Sequence, residues 1–259
     1  MTIPAIFKLK NMTASQGGIQ VLNVPSLDIE SGKVTAVVGP NGSGKTTLLL
    51  CLAGLMEITR GSLLFNGVNI SGTSKQATLR QHTTLVFHEP LLFNTTVQGN
   101  IEAGLQLRGL PKSERLQRIS NTARLLGISH LLNRSAIKLS GGESQRTSIA
   151  RAIAMQPDVL LLDEPFSALD APSKTMLLND LGHILAKTNT TAIFSTHDLT
   201  DAIYLADYIA VLNGGTLVQW GPTQEILHNP KDTFVSALVE SAKTTAELVL
   251  KNTRFREDG

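Results

Sequence analysis

The chain has 259 residues, a length between one large domain and two small ones. Hydrophobic residues make up 42% and charged residues 17%, which allows a sizeable core and excludes a disordered chain. A formal charge of +2, the lack of any block of consecutive Lys or Arg, and an aromatic content of only 4% argue against nucleic-acid binding.

The compartment is indicated by the single cysteine and by the N-terminus. Cys51 lies in an apolar segment and is interpreted as a small buried thiol rather than a reactive one. The first residues lack the basic start and apolar stretch of a signal peptide, and no apolar run approaches the ~18 residues of a spanning helix. We therefore expect a soluble protein in a reducing compartment, with any membrane role provided through a partner.

Alternating or continuous apolar runs predict strands along most of the chain. In chain order, they are FKLKNM, VLNV and SLDIE near the N-terminus, then KVTAVV (33–38), GSLLFNG, TTLVFH, VLLL (159–162) and TAIFS (191–195). A helical pattern starts near Gly44, another runs from about Val97 to Leu132, and a helix follows each of the last two strands. The segment 208–221 predicts a hairpin that turns at Gly214 and Gly215.

The segment GPNGSGKTT fits the phosphate-loop pattern G-x-x-x-x-G-K-[ST] between a predicted strand and a predicted helix. Its glycines let backbone N–H groups approach a β-phosphate, and the helix N-terminus adds partial positive charge. Lys45 is expected to bridge the β- and γ-phosphates, and Thr46 to offer its hydroxyl to Mg²⁺. A Gly-rich turn that binds nothing is the alternative, which the strand–turn–helix context disfavours. The predicted nucleotide-binding residues are Gly39, Pro40, Asn41, Gly42, Ser43, Gly44, Lys45, Thr46 and Thr47.

The element order predicts an α/β fold with a P-loop NTPase core. A parallel sheet forms this RecA-like core, with an antiparallel N-terminal β subdomain and a helical subdomain inserted at about 95–155. We expect residues 1–230 to form one domain and residues 231–259 a C-terminal helical tail.

A second anion site is suggested by LSGGESQR at 139–146. Ser140 and Glu143 have capping-box spacing, and Gly141 and Gly142 leave the backbone open to a ligand. An ordinary capped helix and a helix N-terminus presented to a γ-phosphate fit this segment equally well on its own.

Two carboxylates, Asp163 and Glu164, follow the apolar strand 159–162 at the edge where ligands of parallel sheets bind. Charges at the end of a buried strand are costly unless they have a role. Asp163 suits Mg²⁺, usually through water, and Glu164 suits polarising an attacking water.

Together these segments resemble the nucleotide-binding subunit of ABC transporters. The loop 39–47, the signature 139–146, the Asp-Glu strand end, SALD (167–170) and His197 follow the order and approximate spacing of that family over about residues 5–230. The resemblance implies ATP and Mg²⁺ as ligands and a head-to-tail homodimer in which residues 140–143 face the phosphate loop of the other subunit. It also implies Glu164 as the catalytic base and His197 as a contact of the γ-phosphate and water, with Lys45 as the third catalytic residue. For His197, the alternative is a histidine of no consequence beside a helix.

His88 is the first departure from the family, since a glutamine is usual at this position and reaches Mg²⁺ there. We predict the metal ligands Thr46, Asp163 and His88, the last with weakened or pH-dependent coupling. A tolerated substitution with near-normal hydrolysis is equally open.

Gln16 or a neighbour is the second departure, because it stands where the family usually stacks an aromatic residue on adenine. Stacking contributes ~1–3 kcal/mol in other base-binding sites, so we expect reduced adenine affinity or selectivity.

A free-standing cassette of this kind resembles the ATPase of an importer. The resemblance implies a cytoplasmic protein, peripheral on the inner face of the cell membrane, that drives a transmembrane permease and is served indirectly by an extracytoplasmic solute-binding protein. EPLLFNTTVQGNI is similar to tungstate or molybdate importers, although other small solutes remain open. A weakly hydrolysing, nucleotide-dependent assembly module and an exporter ATPase are the alternatives.

Overall fold

The computed structural model describes residues 4–70 and 73–254. The extreme ends of the predicted domain and tail, residues 1–3 and 255–259, lie outside the described residues. The strands are β1 Ala5–Gln16, β2 Ile19–Glu30, β3 Val34–Val38, β4 Arg60–Phe65, β5 Val68–Asn69, β6 Thr83–Val86, β7 Val159–Leu162, β8 Thr191–Thr196, β9 Tyr208–Asn213 and β10 Thr216–Pro222. The helices are α1 Lys45–Leu52, α2 Thr73–His82, α3 Val97–Leu107, α4 Lys112–Leu125, α5 Gly141–Ala154, α6 Ala171–Thr188, α7 Leu199–Leu205, α8 Thr223–His228 and α9 Thr233–Arg254, with 3₁₀ turns at Ser129–Leu131 and Ala136–Lys138.

The strands form one mixed sheet in the order β5-β4-β1-β2-β10-β9-β3-β8-β7-β6. Within the run β9-β3-β8-β7-β6 all adjacent strands are parallel, whereas β9 and β10 pair antiparallel. Strands β3, β7 and β8 are buried along their whole length. Parallel strands need helices over both faces, which explains their continuous apolar sequences. Because β3, β8 and β7 are adjacent, the loops that follow these three strands meet at one edge of the sheet.

The N-terminal part is antiparallel, as predicted, but its strands are longer than expected. VLNV and SLDIE were predicted as separate strands; this was wrong, since both belong to the continuous strand β2. Pro25 lies within β2 with its side chain exposed, and the pairing with β1 passes from Lys10–Ser26 to Met12–Val24. Asn11, opposite Pro25, has a left-handed φ of 45°. The register of β1 and β2 is the same on both sides of Pro25, so the missing N–H of proline does not end the strand.

Alternate residues of the parallel strands face two apolar clusters. Ala36 and Val38 pack with the helices α3, α5 and α6, whereas Val37 packs with α1 and the N-terminal strands. Helix α9 adds Val235 and Val239 to the first cluster. Within residues 4–70 and 73–254, no helix is both long and apolar enough to cross a membrane.

Candidate functional site

The loop after β3 is shaped by glycines and leads directly into α1. A Cβ atom on Gly39 would overlap the carbonyl oxygen of Leu212 and lie 2.6 Å from Ser43 Oγ. Gly44 has a φ of 96°, which side chains disfavour, and it precedes α1 without a side-chain cap. The first turn of α1 also contains no acidic residue. The helix therefore presents open N–H groups and a partial positive charge, the usual components of an anion site.

Two polar groups of this loop are buried, one with partners and one without. Lys45 is only 5% exposed, and its ammonium donates to the carbonyl oxygens of Gly39 (2.9 Å) and Pro40 (3.1 Å). Ser43 Oγ is buried and has no hydrogen-bond partner among the described residues. Buried polar groups normally have partners, so an unpaired hydroxyl here fits a polar ligand such as a phosphate.

Thr46 and Asp163 lie in contact although 117 residues separate them in the sequence. The Thr46 hydroxyl lies 2.9 Å from Asp163 Oδ2 and 3.1 Å from Oδ1, and Asp163 is only 6% exposed. Among the described residues, no group of three or more His, Cys, Asp or Glu side chains could hold a metal ion. A hydroxyl beside one carboxylate nevertheless suits Mg²⁺, which usually takes one or two protein oxygens and completes its shell with water and substrate phosphates.

His88 has a different partner from the other predicted metal ligands. Its Nδ1 lies 3.1 Å from the hydroxyl of Ser167, in the SALD segment. In the described part of the chain, no hydrogen bond joins His88 to Thr46 or Asp163. The structure thus brings two of the three predicted metal ligands together and directs the third to the loop after Glu164.

Glu164 occupies the centre of the site. Its Oε1 lies 3.2 Å from Lys45 Nζ, and its Oε2 lies 3.1 Å from His197 Nδ1. Burial disfavours the charged form of Glu164, but hydrogen bonds from Lys45 and His197 outweigh this effect and lower the pKa of the carboxyl below its ordinary value. The three predicted catalytic residues are therefore in contact, with Glu164 ionised.

The signature segment forms the predicted capping box at the start of α5. Glu143 Oε2 accepts from the Ser140 N–H at 2.8 Å, and Ser140 Oγ accepts from the Glu143 N–H at 3.3 Å. A Cβ atom on Gly141 would meet nothing within 4 Å, so the approach to this helix end is open. Among the residues described, no hydrogen bond or ion pair connects residues 140–143 to the loop 39–47. The two predicted halves of the nucleotide site are separate within one chain.

Gln16, aligned with the stacking aromatic of the family, lies beside the phosphate loop. It lines a cavity of about 400 Å³ together with Val21, Glu164 and two parts of the loop, residues 41–42 and 44–47. No aromatic side chain lines this cavity in the described part of the chain.

Comparison with known proteins identifies the family. The ABC transporter family model matches residues 22–167, more than half of the chain. The chain belongs to the ABC transporter family. The match includes the phosphate loop, the signature and the Asp163–Glu164 pair.

Relatives in the ABC transporter family are similar over most of this chain. The maltose/maltodextrin import ATP-binding protein MalK of Mannheimia succiniciproducens is 38% identical over 241 residues, which cover 91% of this chain and 63% of that protein. The sulfate/thiosulfate import ATP-binding protein CysA of Pseudomonas syringae pv. tomato is 38% identical over 235 residues, covering 88% of this chain and 71% of that protein. The chain thus spans less than two thirds of the length of the maltose relative.

Two solved structures share the ABC ATPase fold predicted here. The protein cbiO1 from Clostridium perfringens, part of the ABC transporter complex cbiONQ, superposes with a TM-score of 0.81 at 29% identity, covering 87% of this chain and 92% of that chain. The ATP-binding cassette MJ0796, a dimer in a post-hydrolysis state bound to ADP and phosphate, has a TM-score of 0.75 at 27% identity, covering 84% and 98%. The α/β fold prediction is confirmed.

Sequence reasoning missed the role of Ser195, which connects the two carboxylate residues. Its hydroxyl donates to Asp163 Oδ1 at 2.7 Å and accepts from the Glu164 N–H at 2.8 Å. A serine in the otherwise apolar run TAIF was the available signal, since a fully buried hydroxyl needs partners.

Lys174 was also missed. It lies in the first turns of α6 and pairs with Asp198 (2.8 Å) and Asp201 (2.6 Å), just after His197. No local pattern identifies this residue, because its partners lie more than twenty residues away.

Proposed function

We propose that this chain binds and hydrolyses ATP as a head-to-tail homodimer and powers solute uptake through a separate transmembrane permease. The main support for this proposal is the position of the Glu164 carboxylate, which lies between Lys45 and His197 and beside the Thr46–Asp163 pair. This arrangement combines a phosphate-binding cation with an ionised base, as hydrolysis of a phosphoanhydride requires.

Lys45 and the loop bind the triphosphate in this proposal. The phosphates of ATP replace the Gly39 and Pro40 carbonyl oxygens and the Glu164 carboxylate as partners of the Lys45 ammonium. The open N–H groups of α1 and the unpaired hydroxyl of Ser43 supply further donors. Gln16 and Val21 form the nearby wall, where the nucleoside would lie.

Glu164, released from Lys45, orients the attacking water and accepts a hydrogen bond from it. A carboxylate of ordinary pKa is already ionised at neutral pH, so Glu164 can accept this hydrogen bond after Lys45 has turned to the phosphates. His197, at the other carboxylate oxygen, can hold Glu164 and contact the γ-phosphate. Ser195 fixes the strand end that carries both carboxylates.

Mg²⁺ would be held by the Thr46 hydroxyl and the Asp163 carboxylate, where it would neutralise charge on the phosphate oxygens. His88, whose ring nitrogen contacts Ser167, is not required for this pair.

A second copy would complete the site. Residues 140–143 form the open N-terminus of α5 and, in the described part of the chain, make no hydrogen bond or ion pair with the phosphate loop. In a dimer, this helix end would lie over the γ-phosphate held by the phosphate loop of the other subunit, and the two halves of the nucleotide site would meet. The similar cassette MJ0796, a dimer bound to ADP and phosphate, supports dimerisation.

Import is supported by the relatives, whose names describe import of maltose and of sulfate. We propose a cytoplasmic subunit, peripheral on the inner face of the membrane, with a permease as direct partner and a solute-binding protein as indirect partner. Tungstate or molybdate remains a prediction. Uptake of radiolabelled maltose, sulfate and molybdate by cells carrying the intact transport system, with and without this chain, tests the solute.

The decisive experiment combines ATP turnover with light scattering. We expect the wild type to hydrolyse ATP, and Glu164→Gln to lose hydrolysis and form a stable dimer only with ATP and Mg²⁺. Glu240→Gln, an exposed glutamate on α9, is the matched control and should behave as wild type. ATP-dependent dimers without wild-type turnover would favour the nucleotide-dependent assembly module. Absence of both would refute the proposal.

A further inference from the structure

Ser167 forms a hydrogen-bonded link between His88 and the backbone of Glu164. Its hydroxyl lies 3.0 Å from the Glu164 carbonyl oxygen and 3.1 Å from His88 Nδ1. These contacts join the segment after β6 to the loop after β7.

The proton positions in this link follow from the chemistry of its members. A carbonyl oxygen can only accept, so the single hydroxyl proton of Ser167 is directed to Glu164. His88 Nδ1 must then carry a proton and donate it to Ser167 Oγ. The link therefore requires a particular form of the His88 ring, with the donor at Nδ1.

The backbone of Glu164 needs such support. Its φ of 44° lies in the left-handed region, which a glutamate adopts only where the surroundings hold it. On one side, its N–H donates to Ser195 Oγ at 2.8 Å. On the other side, its carbonyl oxygen accepts from Ser167.

His88 is itself anchored by the residues that follow it. Arg151 on α5 donates to the carbonyl oxygens of Pro90 and Leu91, each at 3.1 Å, and its guanidinium lies 5.7 Å from the centre of the Phe93 ring. The chain two residues beyond His88 is thus fixed to a helix of the core cluster, which allows an exposed ring to act as a fixed donor.

We infer that His88 is a positioning residue for Glu164, acting through Ser167. The inference rests on the proposed function, because it gives His88 a role in orienting the proposed base. The essential feature is a donor at the Nδ1 position. The side-chain nitrogen of asparagine can take that position, whereas that of glutamine lies one bond further from the backbone.

Steady-state hydrolysis by the full-length chain tests this role. We expect His88→Ala and His88→Gln to lower kcat by about three- to tenfold, the effect of losing one hydrogen bond, with little change in KM for ATP. His88→Asn should retain most of the wild-type kcat. Ser167→Ala should match His88→Ala, and the double variant should be no slower than Ser167→Ala.

His228→Ala is the matched control, because His228 also hydrogen-bonds through Nδ1, to the Gln224 carbonyl oxygen at 2.8 Å, on the distant helix α8. It should leave kcat unchanged. Wild-type kcat in His88→Ala, or better rescue by Gln than by Asn, overturns the inference while leaving the proposed function intact.

A second measurement does not depend on turnover. In ¹⁵N-histidine NMR spectra at about pH 8, where ordinary histidines are neutral, His88 should carry its proton on Nδ1, as His228 must. The Ser167→Ala variant should lose this preference at His88 only. An Nε2-protonated His88 in the wild type would refute the link. If the wild type does not hydrolyse ATP, the proposed function fails, and these spectra still decide whether the link exists.

Discussion

Replacing Ser195 by alanine removes two hydrogen bonds from the floor of the site. The hydroxyl is fully buried, donates to Asp163 Oδ1 at 2.7 Å and accepts from the Glu164 N–H at 2.8 Å. A hydrogen bond to a charged group contributes about 1.5–3 kcal/mol, and a buried N–H left without a partner costs about 1–3 kcal/mol. We expect the free energy of unfolding to fall by about 3–5 kcal/mol, a large part of the stability of a typical domain.

Urea-induced unfolding of wild type and Ser195→Ala, followed by circular dichroism, measures this loss. Hydrolysis should fall as well, because Asp163 and Glu164 lose their common anchor. Ser148→Ala is the control: this serine is equally buried, but its hydroxyl makes a long contact of 3.4 Å with Arg151, so we expect a loss below about 1 kcal/mol. Equal losses in both variants, or a loss below about 1 kcal/mol at Ser195, would refute the assigned role.

Three further predictions concern other groups of the chain. Burial raises the pKa of Cys51 from 9.0 to about 12, so at pH 8 its thiolate fraction is about a thousandfold lower than in the unfolded chain. A thiol reagent should therefore react with the native protein far more slowly than with the protein in urea, and equal rates would contradict burial. Lys174→Met should cost about 3–5 kcal/mol at pH 7, because Asp201 is left buried without its cation. Burial raises the pKa of Asp201 above its ordinary value, and a protonated Asp201 no longer needs the cation, so this deficit should shrink as pH falls toward that pKa; a deficit that grows on acidification would show the pairing to be wrong. Gln16→Tyr should tighten ATP binding by about 1–3 kcal/mol in equilibrium titrations if it supplies the absent stacking partner, with Gln20→Tyr on the same hairpin as control.

The elements of the fold were largely readable because their apolar patterns are strong. The fully buried strands β3, β7 and β8 were each predicted within one or two residues. The errors arose where tertiary contacts override local signals. Pro25 marks a break in sequence, yet the pairing of β2 with β1 continues across it without a change of register. Helix α2 was missed, because TSKQATLRQH is almost entirely polar and Leu79 is its one fully buried apolar residue among those whose side chains are described.

The site was predictable only as a set of separate segments. Motifs placed Lys45, Asp163, Glu164 and His197 at the ends of strands, and the adjacency of those strands brings them together. The partner of each side chain could not be read from sequence. His88 was expected among the metal ligands, but the three-dimensional path of its loop leads its ring to Ser167. Such pairings depend on angles and distances between segments that lie far apart in the chain.

The pairing of Lys45 with Glu164 places a counter-ion beside the cation of the phosphate loop. A small anion entering the loop gains one cation but must separate it from a carboxylate and two carbonyl oxygens, which leaves little net gain. A triphosphate can offset the same separation, because it also occupies the α1 N-terminus and brings its own divalent cation. This internal competition would favour a nucleotide over small anions such as phosphate and chloride.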